Sequence, residues 1–243
     1  PPNSFREALI LLKDLVFSSD FDKNEFNLEK KVIIEEILQN HDHKDERIFN
    51  YFLSRVWLES KYGKSILGKE ENIENLKLID LKNFHTKQYL PKNSCIAIAG
   101  KLPNDYLEIL NNCKIKNTER NFDNREESLN IYNSIRKGKE IIFIKDIEFS
   151  RILIAWLIPN NREQKYILGF EILSSILSEG RNSILNRILK EDKQLVESVD
   201  SGLHAGELGS LFIVEATCKI ENIERVEILN NNLIENLLKT NNF

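Results

Sequence analysis

Gln194-Leu-Val-Glu-Ser-Val-Asp-Ser-Gly-Leu-His-Ala-Gly-Glu-Leu-Gly-Ser-Leu-Phe-Ile-Val-Glu-Ala-Thr-Cys218 is the stretch on which the fold turns. It reads as two β-runs, Gln194 to Leu203 and Leu208 to Cys218, joined through His204-Ala-Gly-Glu207 as an antiparallel pair. Gly202, Gly206 and Gly209 sit between the runs as turn residues. Downstream, Glu221 to Thr240 has the pattern of a final helix. Upstream, Gln164 to Leu177 is an apolar helix, separated by Gly180 from a second one at Ser183 to Asp192. Ahead of these, Glu140 to Lys145 and Arg151 to Ile158 are further β-runs. Strands in pairs with helices between them predict an α+β fold, with helices laid on one face of a mostly antiparallel sheet.

The first half is richer in helix signals. Ser4 with Glu7 reads as a capping box, and Phe5, Ala8, Leu9, Leu12, Leu15 and Val16 share a stripe through about Phe17. Asp22 and Glu25 repeat that start signal for a helix through about Asn40. Asp45 to Lys61 buries Ile48, Phe52, Val56 and Trp57 at helical spacing and ends at Tyr62-Gly63. Leu78 to Tyr89 is a shorter helix, and Ser94 to Ala99 a short β-run ending at Gly100. From Lys114 to Gly138 the chain turns polar without a sustained period, which reads as a linker. The expected organisation is a first domain over 1–113, a linker over 114–138 and a second domain over 139–243.

Composition narrows the function classes. The 243 residues are 41% hydrophobic and 30% charged, enough for a sizeable core under a polar surface. No apolar run is long enough to predict a membrane span, and the start does not read as a secretory signal. A net charge of -4 offers no electrostatic case for a nucleic-acid partner. Cys95, Cys113 and Cys218 are too scattered for a disulfide framework or a Cys-rich zinc site, and free thiols lean toward a cytoplasmic location. A periplasmic or organellar location is an alternative if a leader was lost with the N-terminus. The Pro-Pro-Asn start, the absence of Met and the bare Asn241-Asn-Phe243 end read as an internal piece of a longer protein.

Chemistry-bearing residues concentrate in the helix that begins at Asp22. Glu25, Glu29, Val32 and Glu36 step by four, three and four residues and share one face. Two readings stand: a solvated acidic stripe, or paired carboxylates in which one binds a metal and the other orients it. Spacing does not choose between them. His41-Asp-His43 follows in a polar loop, where surface placement is the plainer reading. His85 in a helix and His204 in a hairpin loop have no companion at ligand spacing. No Gly-rich phosphate loop and no G-x-S-x-G element occurs.

Several segments taken in order carry a resemblance. They are Asn27-Leu-Glu-Lys-Lys-Val-Ile-Ile-Glu-Glu-Ile37, Tyr62-Gly-Lys-Ser-Ile-Leu-Gly68 with Glu71-Asn-Ile73, and Tyr89-Leu-Pro-Lys-Asn93 with Ser94-Cys-Ile-Ala-Ile-Ala-Gly100. Ile176-Leu-Ser-Glu-Gly-Arg-Asn-Ser-Ile-Leu185 with Leu189 to Val199 completes the series. Together they resemble the M16 metallopeptidases, which include pitrilysin, insulin-degrading enzyme and the mitochondrial processing peptidase. The matches run from about Ala8 to Leu238.

The resemblance implies a metallohydrolase-type half-clamshell of the LuxS-like kind, built from two structurally related α+β domains. Its implied cofactor is Zn²⁺, held by two histidines of an H-x-x-E-H motif and one downstream glutamate. That glutamate falls on Glu36, and Glu29 would support it from behind. The implied partners are a peptide substrate and a facing M16 half, which is the same chain, a twin or a different subunit. No H-x-x-E-H occurs in the 243 residues, so two ligands and the general base are lacking and the chain alone should be inactive. An Arg and a Tyr that the family uses toward substrate fall on Lys190 and Glu197. A lysine keeps the charge, but a glutamate does not replace a phenol donor.

The expected function is therefore part of a zinc metalloendopeptidase acting on peptides enclosed between two halves. The first alternative is a non-catalytic subunit of the same fold that binds peptides or completes a partner's site. The second is a helix-rich interaction module unrelated to proteolysis.

Overall fold

The computed structural model describes residues 4–58, 60–113, 135–145 and 147–239. Most of the expected linker, 114–134, lies outside them. The described residues divide into two compact units, one holding 4–47 and 64–113, the other 48–63 and 135–239.

The first unit is helical. Its elements are α1 (Phe5–Phe17), α2 (Lys23–Asp42), α4 (Glu70–Asn75), α5 (Leu78–Gln88) and α6 (Tyr106–Asn112). Helix α1 has the expected bounds, but the Ser4–Glu7 capping box is not formed. Ser4 sits at φ -103° and ψ 12° with no side-chain cap, not in the extended conformation that aims a cap oxygen at the first turn. Asp22 does adopt that conformation. Its carboxylate accepts from the N–H groups of Asn24 at 2.7 Å and Glu25 at 3.0 Å, and so starts α2.

Helix α2 is tied down by Lys30, whose Nζ donates to the carbonyls of Glu74 at 2.6 Å and Leu76 at 3.1 Å. His85 Nε2 donates to the Val16 carbonyl at 2.8 Å, between the rings of Phe21 and Tyr89. The buried apolar residues of this unit are few: Leu9, Ile37, Leu90 and Ile109. Residues 94–99 do not form the expected strand. A strand is held by ladder bonds to a neighbour, and the described residues of this unit offer none, so Ile96 and Ile98 stay exposed.

The second unit is built on a three-stranded antiparallel sheet, ordered β1 (Ser150–Ile158), β3 (Ser210–Cys218), β2 (Ser198–His204). The β2–β3 pair is the one expected from the hairpin sequence, with Ser198 opposite Thr217 and His204 opposite Leu211. Strand β3 is central and almost wholly buried. Its even-numbered residues Phe212, Val214, Ala216 and Cys218, with Ile152 and Trp156 of β1, face α7 (Gln164–Ser178) and α8 (Ile223–Lys239). Its odd-numbered Leu211 and Ile213, with Ala155 and Leu157, face Phe49 and Leu53 of α3 (Lys44–Val56) and Trp57 just after it. The helices therefore cover both faces of the sheet, where the sequence reading placed them on one.

Three other expectations are corrected. Helix α3 stops at Val56, and the chain re-enters as a short turn at Lys61–Gly63. There a Cβ on Gly63 would lie 2.3 Å from the Trp57 carbonyl oxygen, so only glycine fits. The Ser183 to Asp192 helix is instead a wide π-type turn over Asn186–Asp192, which Gln194 closes in the left-handed region at φ 49°. Residues 140–145 form no ladder with β1; their apolar side chains Ile141 and Phe143 remain exposed.

Candidate functional site

Glu29 and Glu36 both lie on α2, seven residues and two turns apart, and both are exposed. The capped start at Asp22 and the Lys30 tether fix the helix that carries them. Next to Glu36, Ile37 is 4% exposed and anchors that turn in the unit's core. Hydrogen bonds from Glu25 first and Asn24 second hold the Asp22 carboxyl below the usual carboxylate range. The two glutamates make no hydrogen bond or ion pair among the described residues.

The donor set around Glu36 does not fit a zinc ion. A catalytic zinc takes three protein ligands and keeps one open position. Among the described residues no group of three His, Cys, Asp or Glu side chains converges as a metal site. His43 follows α2 as its C-terminal cap, donating its N–H to the Gln39 carbonyl at 3.1 Å, and it and His41 are exposed. His85 is committed to the Val16 carbonyl. His204 lies against the Phe49 ring, 6.1 Å between centroids. The described residues thus present one carboxylate pair and no completed centre.

Lys190 and Glu197 belong to the second unit. Lys190 lies in the π-type turn and is exposed. Glu197 precedes β2; its N–H donates to the Thr217 carbonyl at 2.8 Å, which extends the β2–β3 ladder by one bond, and its side chain is exposed. The two make no ion pair with each other. In the same turn Glu191 pairs with Arg181 at 2.9 Å, and that contact holds the Glu191 carboxyl below its usual range.

A further charged cluster escaped the sequence reading. Glu140 Oε1 accepts from the Tyr51 hydroxyl at 2.7 Å, while its Oε2 accepts from Arg55 Nε and Arg136 at 2.8 Å each. The Tyr51 bond first, then Arg55, hold the Glu140 carboxyl low, and the same bond raises the Tyr51 phenol. On the α3 face Arg151 donates to Glu215 at 3.0 Å and Thr217 at 2.9 Å. Both sets are internally paired ion clusters that join separate elements. The local signals of the Glu140 cluster are the four-residue steps from Tyr51 to Arg55 and from Arg136 to Glu140; the contact between the two pairs has none.

Comparison with known proteins bears on the family and the fold. Residues 75–241 match the family model described as "Peptidase M16 inactive domain". An "Uncharacterized zinc protease" of Rickettsia bellii is 26% identical over 197 residues, which is 80% of this chain and 46% of that protein. Among solved structures, a protease from Helicobacter pylori superposes with a TM-score of 0.78 at 19% identity, covering 95% of this chain and 58% of that one. A peptidase M16 inactive domain from Pseudomonas fluorescens gives 0.73 at 18% identity, with 97% and 57% covered. The structural likeness speaks for the fold. The chain spans about half the length of the curated relatives it matches. With the family model covering more than half of its residues, the chain belongs to the M16 peptidase family, in the group described as its inactive domain.

Proposed function

We propose that this chain is part of a zinc-dependent metalloendopeptidase that hydrolyses peptides or unfolded segments held between two facing M16 halves. Glu36 is the glutamate that joins two histidines from elsewhere in the parent protein at the metal, and Glu29, on the same face of α2, orients it. The observation that carries this reading is the pair itself: two exposed carboxylates, without a partner among the described residues, on a capped and tethered helix. The zinc-protease name borne by the Rickettsia relative supports the metal.

The test uses the parent protein. Zinc content and peptidase activity are measured for the wild type and for Glu36→Gln. We expect zinc to fall below one equivalent in the variant and activity to drop ~10²-fold or more, by analogy with the loss of a metal-site group. Wild-type activity in Glu36→Gln that a chelator fails to abolish sinks the assignment.

A second reading is supported by Lys190 and Glu197. With a lysine and a glutamate where an arginine and a phenol are expected, the chain fits a non-catalytic partner that binds peptide for another half. The inactive-domain description of the matched family model agrees with it. Peptide binding by the parent without turnover, unchanged by Glu36→Gln, is its signature.

A further inference from the structure

Ser201 stands in the middle of β2, opposite Val214 of β3. Val199 and Leu203, two residues to either side, pack in the apolar cluster under α7, so the row that faces the helix carries a polar residue at its centre. Helix α7 answers it with two serines. The Ser178 hydroxyl oxygen accepts from the Ser201 N–H at 2.9 Å, and the Ser174 hydroxyl donates to the Ser201 carbonyl at 2.7 Å. The Ser201 hydroxyl lies 2.8 Å from that of Ser178 and 3.2 Å from that of Ser174. Ser174 and Ser178 are one helical turn apart and share a face. Asn186 secures the end of the helix by donating to the Ser178 carbonyl at 2.6 Å.

These bonds lie where a further strand would attach. In an antiparallel ladder a residue gives its N–H and its C=O to the same neighbour, and successive residues alternate sides. Strand β2 is an outer strand that pairs with β3 on one side. Ser201 gives both groups to α7 instead, so they leave on the side away from β3. A strand added there would bond at Val199, Ser201 and Leu203. With the middle position taken, the outer two stand about 13 Å apart with no bond between them.

We propose that α7 locks the outer edge of β2 against the addition of an extended peptide, with Ser174 and Ser178 filling the hydrogen-bonding positions such a peptide would use. Strand addition draws its affinity from main-chain bonds, and at Ser201 the chain has already made them with itself. An open edge is a template for unwanted pairing; the lock removes the template at its centre. It acts on any extended backbone and stands apart from the zinc reading above. In a parent that handles peptides, this edge is not where they are held.

Two measurements on the 243-residue chain test the lock. The first compares amide exchange at Ser201 with that at Gly202, which faces β3, in the wild type and in Ser178→Ala. The ratio of the two rates rises at least ~10-fold in the variant, because only the Ser201 N–H loses its acceptor. Using the ratio cancels any general loss of stability, and an unchanged ratio overturns the proposal. The second titrates a fluorescently labelled peptide copying residues 210–217, the strand that already pairs with β2 on its other side. The wild type leaves it free. The double variant Ser174→Ala/Ser178→Ala, with the Ser201 groups released, binds it and slows exchange of the Ser201 amide on binding. Equal binding by both proteins, or binding by neither, overturns the proposal.

Discussion

Gly63 shows how one residue sets a local route. Its missing side chain lets the Lys61–Gly63 turn pass against the Trp57 carbonyl, and this brings Tyr62 onto Trp57, 5.3 Å between ring centroids. The Tyr62 hydroxyl then accepts from the Leu208 N–H at 3.1 Å, tying the turn to the β2–β3 connection. Gly63→Ala forces backbone against backbone, where no rotamer offers relief. We expect it to destabilise the second unit by about 1–3 kcal/mol, the usual cost of overpacking, read as a lowered denaturation midpoint. An unchanged midpoint would show that the turn relaxes freely. The sequence marked Tyr62-Gly63 as the stop of a helix through Lys61, whereas the helix ends at Val56 and Lys61–Gly63 is a separate turn. It did not mark the close approach, because that depends on where Trp57 has been carried by its own packing.

At the level of single elements, α2 invites a test by pH. Asp22 has a depressed carboxyl because it accepts two backbone hydrogen bonds only when the helix is formed. Its contribution is therefore present above the usual carboxylate range and is lost as pH falls through the depressed value. Far-UV circular dichroism should show α2 fraying on acidification in the wild type. Asp22→Asn, which keeps a capping oxygen without a titrating proton, should lack that acid step. A step of equal size in both proteins would assign it to other carboxylates.

Elements of this kind were legible in advance because their signals are local. Period placed α1, α2 and α5 to within a few residues, with the Asp22 cap for α2, and the β2–β3 pair followed from its connection. The strands expected at 94–99 and 140–145 failed for the opposite reason: a strand exists only with a neighbour, and neighbours are not written in the run itself. The candidate site divides the same way. Glu29 and Glu36 were readable from helical spacing, whereas the Tyr51–Glu140 contact joins residues 89 apart and no local pattern announces it.

The whole molecule distributes its core unevenly. The first unit buries four apolar residues, whereas the second buries two packed clusters on either side of β3. Apolar burial is the main favourable term in stability, so the units should not open together. In rising urea, amide exchange should spread through α1, α2 and α5 before it reaches β3. One concerted transition across both would contradict this.

The sheet order has a consequence for how the chain is made. Among the described residues, strand β1 pairs with β3 alone, so that Ser150 meets Cys218 and Ile158 meets Ser210, across α7, the π-type turn and all of β2. The β2–β3 hairpin closes over a short loop and forms without waiting. Strand β1 emerges from the ribosome first, carrying Ile-Leu-Ile-Ala-Trp-Leu-Ile, while its partner is still untranslated. At ~5–20 residues per second that apolar strand is bare for seconds, long enough to engage a chaperone before it ever meets β3.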